Sequence, residues 1–226
     1  MIVLFTDFGL EGPYVGQMKA VLHREAPGVA VIDLFADAPA FDPRRSAYLL
    51  AAYAVEFASP AVFLAVVDPG VGSDRRPVMV EADGRRFVGP DNGLFELIWR
   101  RAKKRRAFAI DWRPAHLSAS FHGRDLFAPV AARLATGASV PMKPIETLAP
   151  IATTWPDDLP EIVYVDRYGN AMTGLRAAAL GPGAALDVGG RRLSRRRTFV
   201  DADVGEAFWY ENANGLAEVS VNRGRA

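Results

Sequence analysis

Three features of the chain predict an α/β fold in two parts, an N-terminal mostly parallel α/β sandwich domain followed by a small all-β antiparallel barrel domain. Through residues 1–135, short apolar runs alternate with segments of helical period, the pattern of a parallel sheet with crossover helices. Prolines at positions 141, 144, 150, 156 and 160 then interrupt regular structure, as in a semi-rigid linker. Beyond them only strand signals remain, separated by turn chemistry. The expected boundaries are 1–140 for the α/β domain, 141–160 for the proline-rich linker and 161–226 for the antiparallel β domain.

Each element has its own local reason. IVLF opens the chain as a strand, and YVGQMKAVLHREA follows with apolar residues at helical spacing. AVIDLF and AVFLAVV read as further short buried strands. Between them lies PRRSAYLLAAYAVEF, a helix with Asp42 as N-cap and Pro43 at its first position, where a missing N–H costs nothing. VMVEADGRRFVG carries a hairpin signal with Asp83 and Gly84 at the turn. AFAI is the next strand, and the helix LFAPVAARLA stops at Thr136 and Gly137. In the last third, EIVYVD, ALDVGGRRL, AFWY and LAEVSV are strands set apart by YGN, GPG, GG and NANG. No internal repeat is visible.

Composition excludes several classes of function. Half the residues are hydrophobic, enough for a sizeable core, and the 226-residue length allows one large or two small domains. The absence of cysteine removes disulfides, thiolate zinc sites and a cysteine nucleophile, and fits a reducing compartment. No apolar run reaches membrane-spanning length and no basic segment precedes IVLF, so a cytoplasmic protein without a membrane partner is expected. A net charge of +1 argues against a nucleic-acid partner. The basic runs WRRAKKRR (99–106) and RRLSRRR (191–197) read as a solvated helix end and a solvated strand or loop.

The chemistry concentrates in loops. VVDPGVGSDRR (66–76) runs straight out of the apolar AVFLAVV, placing Asp68, Asp74, Arg75 and Arg76 at the carboxyl end of a predicted parallel strand, where open α/β sheets keep their ligand sites. FVGPDNGL (87–94) and FHGRDLFAP (121–129) share that character, each packing glycine, proline and ionisable groups between apolar flanks. The glycines after the first strand fall at 9, 12 and 16, so there is no GxGxxG fingerprint. Walker A, HExxH and GxSxG patterns are also missing. Taken singly, an Asp before Pro-Gly is an ordinary turn former, an Arg in such a loop a surface charge, and a His between Phe and Gly a structural group.

Together with TDFG (6–9) and DRYGN (166–170), these segments resemble the S-adenosyl-L-methionine (SAM) hydroxide adenosyltransferases, or SAM hydrolases, kin of the fluorinase and chlorinase enzymes. The resemblance runs from Phe5 to about Arg223. It implies an α/β domain joined to a β domain, SAM as the substrate, no cofactor and no metal, and a homotrimer whose sites lie between the α/β domain of one subunit and the β domain of its neighbour. It implies that Asp68, Arg75 and His122 position and activate water. Attack on ribose C5′ expels neutral methionine from a sulfonium, so the leaving group needs no acid, and the task is to present an aligned water with a proton acceptor beside it. It implies that Asp7 takes the ribose hydroxyls, that Phe41 and Phe121 line the nucleoside and sulfonium, and that Asp166, Tyr168 and Asn170 form the methionine side, where a carboxylate meets the α-ammonium. A ring face near a sulfonium contributes on the order of 1 kcal/mol. The stretch NANGLAEVSVNRG, with Asn214 and Asn222, resembles the segment that meets the methionine carboxylate and the adenine edge, largely through backbone; Asn214 stands where the halogenases carry an arginine.

Within that family the halogenases lack the Asp68 and His122 pair and carry a long insertion between the segments matching PDNGL and FHGRD. A carboxylate beside the nucleophile repels halide and suits water, so hydrolysis is expected over halogenation. A SAM or adenosine sensor without turnover is the other alternative; the complete Asp68, Arg75, His122 set speaks against it, because a binder needs no proton acceptor beside C5′.

Overall fold

The structure is a computed structural model that describes residues 1–151 and 154–226. The chain forms two compact units, Met1–Thr153 and Thr154–Ala226. Ala152 and Thr153, within the span expected as linker, lie outside the described residues.

In the first unit the chain runs β1 (Ile2–Thr6), α1 (Tyr14–Glu25), β2 (Val31–Phe35), α2 (Pro43–Tyr53), β3 (Val62–Val66), β4 (Pro77–Ala82), β5 (Arg85–Pro90), α3 (Glu96–Arg101), β6 (Arg105–Ile110), α4 (Ala128–Thr136) and β7 (Met142–Ile145). Its sheet has the order β2-β1-β3-β5-β4-β6-β7. The pairs β1/β2, β1/β3 and β3/β5 are parallel, while β4/β5, β4/β6 and β6/β7 are antiparallel. The expected mostly parallel sheet is therefore corrected to a mixed one. The cause is local: Asp83 and Gly84 both take positive φ, 47° and 84°, which closes a tight hairpin and reverses β4 against β5.

Two other expectations change. The strand AVIDLF is an edge strand, with Ile32 and Asp33 exposed. β7 lies inside the expected linker; its edge position tolerates Pro144, which has no N–H to give to a ladder. The helix signals hold: Asp42 accepts the Arg45 N–H at 2.9 Å as N-cap of α2, and α4 ends on a left-handed Gly137.

The inner parallel strands β1 and β3 are buried on both faces, as covered parallel strands are. On one face Ile2, Leu4, Leu64 and Val66 pack with Met18 and Leu22 of α1 and Val130 of α4. The other face is aromatic, with Phe63 stacked on Phe87 at 4.7 Å and Phe87 tilted against Phe95.

The second unit contains β8 (Leu159–Val165), β9 (Ala171–Arg176), β10 (Leu186–Val188), β11 (Arg191–Leu193), β12 (Ala207–Glu211) and β13 (Leu216–Val221). The sheet β12-β13-β9-β8 is antiparallel throughout, and β10 and β11 form a separate hairpin. The expected barrel is not closed among the described residues. Four strands are too few to wrap, and β12 gains only a single bridge, between Trp209 and Arg195, on its outer side. Trp209, wholly buried, centres a small core with Leu193, Ala217 and Val219. Much of the two basic runs is neutralised locally: Arg100 pairs with Glu96, Arg106 with Glu81, Arg195 with Glu211 and Arg196 with Glu206. No helix among the described residues is long and apolar enough to cross a membrane.

Candidate active site

The first candidate site grows from the carboxyl ends of β1 and β3. These strands are parallel neighbours with Thr6 opposite Val66, so the loops that follow, carrying Asp7 and Asp68, emerge side by side. Burial pushes the Asp7 carboxyl up from its ordinary value, and the N–H of Phe41 donates to its Oδ2 at 2.9 Å, which opposes the rise. Phe41 itself sits at φ 59°, a left-handed conformation unusual for a bulky residue, and leaves its ring 77% exposed. Backbone strain of this kind clusters at active sites and ligand clamps.

Asp68, Arg75 and His122 meet. Arg75 donates from Nε to Asp68 Oδ1 at 2.7 Å and from Nη2 to Asp68 Oδ2, a forked pair whose side chains are only 9% and 5% exposed. The same Nη2 lies 3.0 Å from His122 Nδ1. A guanidinium has donors only, so Nδ1 is the acceptor and the imidazole proton sits on Nε2. Burial, followed by the Arg75 cation, holds the His122 pKa below its ordinary value, against the pull of Asp68. The imidazole is thus neutral at neutral pH. The Arg75 guanidinium also lies 5.4 Å from the centre of the Phe127 ring.

His122 immediately precedes a π-helical turn, Gly123–Phe127, that leads into α4. Pro129 cannot donate an α-helical hydrogen bond there, which suits a widened turn. Within the turn Arg124 donates to Asp125, holding that carboxyl below the usual range, and Asp125 accepts the Ser118 N–H at 2.9 Å.

Asp68 and His122 line a cleft of about 300 Å³ together with Phe8, Tyr14, Phe41, Val71 and Phe121, whereas Asp7 and Arg75 are not among its lining residues. Phe8, Tyr14 and Phe121 form a mutual cluster, with Tyr14 edge-on to Phe121 at 5.4 Å. The cleft thus joins an aromatic wall to a buried charged pair and a neutral histidine. Such a site can hold a flat or cationic apolar group and orient one water beside it.

A second cluster lies in the other unit. Asp166 accepts the Asn170 backbone N–H at 2.9 Å and its Nδ2 at 3.0 Å, and the Asn170 side-chain oxygen accepts from the Ser220 hydroxyl at 2.8 Å. Tyr168 stands 78% exposed. A cleft of about 670 Å³ collects Asp166, Tyr168 and Asn170 with Tyr210, Glu218 and Arg223. Glu218 is buried and accepts from Tyr210 at 2.6 Å and from Asn212 at 2.8 Å. Burial and that carboxylate push the Tyr210 hydroxyl pKa up.

Asn214 and Asn222 do not line this cleft among the described residues. Asn214 gives its N–H to Asn212, and Asn222 gives its side-chain amide to the Ala202 carbonyl at 2.8 Å. The sequence alone assigned no role to Tyr14, Tyr210 or Glu218. The one available signal was a carboxylate in the middle of the apolar strand LAEVSV. Among the described residues no three His, Asp or Glu side chains converge as metal ligands.

Comparison with known proteins identifies the family. Residues 2–143 match the model of the SAM hydroxide adenosyltransferase N-terminal domain, and residues 160–226 match that of the C-terminal domain. An (R)-S-adenosyl-L-methionine hydrolase of Thermus thermophilus is 46% identical, covering 100% of this chain and 93% of its own. One of Salinispora tropica is 38% identical over 98% of this chain and 90% of its own. Among solved structures, an uncharacterized conserved protein from Thermotoga maritima superposes with a TM-score of 0.88 at 29% identity, covering 100% of this chain and 94% of its own. A conserved hypothetical protein from Thermus thermophilus does so with a TM-score of 0.77 at 45% identity, covering 100% and 92%. With both halves matched in order over nearly the whole chain, the protein belongs to the SAM hydroxide adenosyltransferase family.

Proposed function

We propose that this enzyme hydrolyses S-adenosyl-L-methionine to adenosine and L-methionine by attack of water on ribose C5′. The observation that carries the reading is that Asp68 and a neutral His122 stand on the wall of an aromatic cleft, both held from behind by hydrogen bonds to the buried Arg75. The water oxygen bonds to C5′, the C5′–S bond breaks with its electron pair going to sulfur, and the water proton leaves to a base. Each Asp68 oxygen keeps a lone pair beyond its bond to Arg75, so Asp68 can take that proton. His122, with its proton on Nε2, donates to the water oxygen and fixes its direction. Arg75 holds both groups and stabilises the hydroxide character that develops.

Asp7 suits the ribose hydroxyls, and Phe41 and Phe121 suit the nucleoside and the sulfonium. Asp166, Tyr168 and Asn170 suit the methionine end. The reading requires no cofactor. A carboxylate beside the nucleophile disfavours halide, and a binding protein would have no use for this pair, so halogenation and simple sensing are not favoured.

The test is incubation with SAM, without added metal, in oxygen-18 water. Adenosine labelled at its 5′-hydroxyl is expected; unlabelled adenosine, or 5′-methylthioadenosine in its place, refutes attack at C5′. The relatives are named for the (R)-epimer at sulfur, so both epimers belong in the assay.

The same reading extends to a cytoplasmic homotrimer with sites shared between subunits. Mixing an Asp68→Asn variant with an Asp166→Ala/Asn170→Ala variant should then restore turnover that neither has alone. Mixed trimers verified by native mass spectrometry but inactive would place each site within one chain.

A further inference from the structure

The motif GPDNG accounts for more than a turn. The loop from Val67 to Arg76 carries Asp68 and Arg75 between β3 and β4, and short turn bonds span its interior, such as Val71 N–H to Asp68 O at 3.2 Å and Ser73 N–H to Gly70 O at 3.0 Å. Its two ends are held from outside by adjacent residues.

At the incoming end, β5 lies against β3 so closely that a Cβ on Gly89 would stand 2.1 Å from the Ala65 carbonyl oxygen, and only glycine permits this. Pro90 follows and has no N–H to continue the ladder. The side chain of Asn92 supplies a donor instead: its Nδ2 gives a hydrogen bond of 2.9 Å to the carbonyl of Val67, the residue immediately before Asp68. Its Oδ1 accepts the Leu94 N–H at 3.3 Å, which sets the orientation of the amide.

At the outgoing end, the Asp91 N–H donates to the Arg76 carbonyl at 2.9 Å. Its Oδ2 accepts Arg76 Nε at 3.0 Å and Nη2 at 2.6 Å, and Arg76 is the residue immediately after Arg75. The Asp91 side chain is only 1% exposed, and the Ala149 N–H donates to both its oxygens at 2.9 and 3.0 Å, so its position is fixed from a third side. Neither Asp91 nor Asn92 lines the cleft.

We infer that Asp91 and Asn92 are positioning residues for the Asp68–Arg75 pair, a two-point clamp that fixes both ends of the loop and so the register of the groups that act on water. The inference rests on the proposed role of Asp68 in water activation. A displacement of about 1 Å in a reacting group can cost on the order of a hundredfold in rate, so a clamp outside the cleft can govern turnover without touching substrate.

Asn92→Asp is the discriminating variant, since it keeps the acceptor for Leu94 and removes the donor to Val67. Its kcat should fall about tenfold or more while KM for SAM stays within about threefold. Arg76→Gln weakens the other end from a half-exposed side, removing the guanidinium bonds to Asp91 while the backbone bond from the Asp91 N–H to the residue-76 carbonyl stays. In both variants, hydrogen–deuterium exchange should rise in segment 67–76 and stay unchanged in β1 and α4. Wild-type kcat in folded Asn92→Asp, a loss confined to KM, or unchanged exchange in segment 67–76 would each overturn the clamp. Near-normal turnover in Asp68→Ala would instead overturn the role of Asp68, and the exchange result would stand apart from it.

Discussion

Replacing Arg75 by methionine tests whether the charged pair is as buried as its geometry indicates. The substitution keeps a long apolar stem against Phe127 and removes both hydrogen bonds to Asp68 and the one to His122 Nδ1. Asp68, its side chain 5% exposed, is then a carboxylate without a counter-charge. Breaking a buried ion pair from one side costs about 3–5 kcal/mol, because the remaining charge keeps its desolvation penalty. In a protein of this size each kcal/mol shifts the melting temperature by about 2–4 °C, so the first unit should melt roughly 6–20 °C lower. Removing both partners is different, since an apolar pair of similar volume is about neutral in stability. Asp68→Leu/Arg75→Met should therefore melt within a few degrees of the native protein while showing no turnover. Scanning calorimetry is the assay, with transitions resolved because two compact units need not unfold as one. A single variant within about 2 °C of the native protein, or a double variant as unstable as the single, would refute the reasoning.

Asp68→Ala should lower kcat strongly with SAM affinity within about tenfold, whereas Asp7→Ala should mainly raise KM; steady-state kinetics that reverse this split would exchange the two roles. His122, its pKa lowered from 6.5 by burial and by Arg75, should keep its active neutral form below that pH, so the acid limb of the kcat profile should lie under 6.5 and move up in Arg75→Met. For stability the unfolded chain binds the His122 proton at higher pH than the folded one, so this contribution is complete above 6.5 and is lost as pH falls toward the folded value; a His122→Gln variant should lack that part of the acid loss in urea titrations. Phe41→Gly relieves a left-handed backbone at φ 59° and gives up a ring that is 77% exposed, so its melting temperature should hold or rise while KM for SAM rises; a lower melting temperature would show that the ring is part of the core.

The chain's own order of residues determined much of this protein. Periodicity and capping identified α1, α2 and α4, because Asp42, Pro43 and Gly137 act on backbone groups within one turn of themselves. The Asp83–Gly84 hairpin was legible for the same reason, though its consequence, the reversal of β4 and a mixed sheet, was not. Resemblance of separated motifs singled out Asp68 and Arg75 on one loop and His122 on a distant segment. Only the tertiary structure decided that Arg75 binds both partners, because that depends on a loop and a π-helical turn meeting in space. The tautomer of His122, the strain at Phe41 and the hold of Asp91 and Asn92 on the ends of the 67–76 loop likewise follow from distances between segments. Glu218 shows the same limit: in the strand it is one charge among apolar neighbours, and its partners Tyr210 and Asn212 come from the adjoining strand and turn. Local sequence acts on backbone hydrogen bonds a few residues away, whereas the state of a buried charge is set by whichever distant groups the fold brings within hydrogen-bond reach.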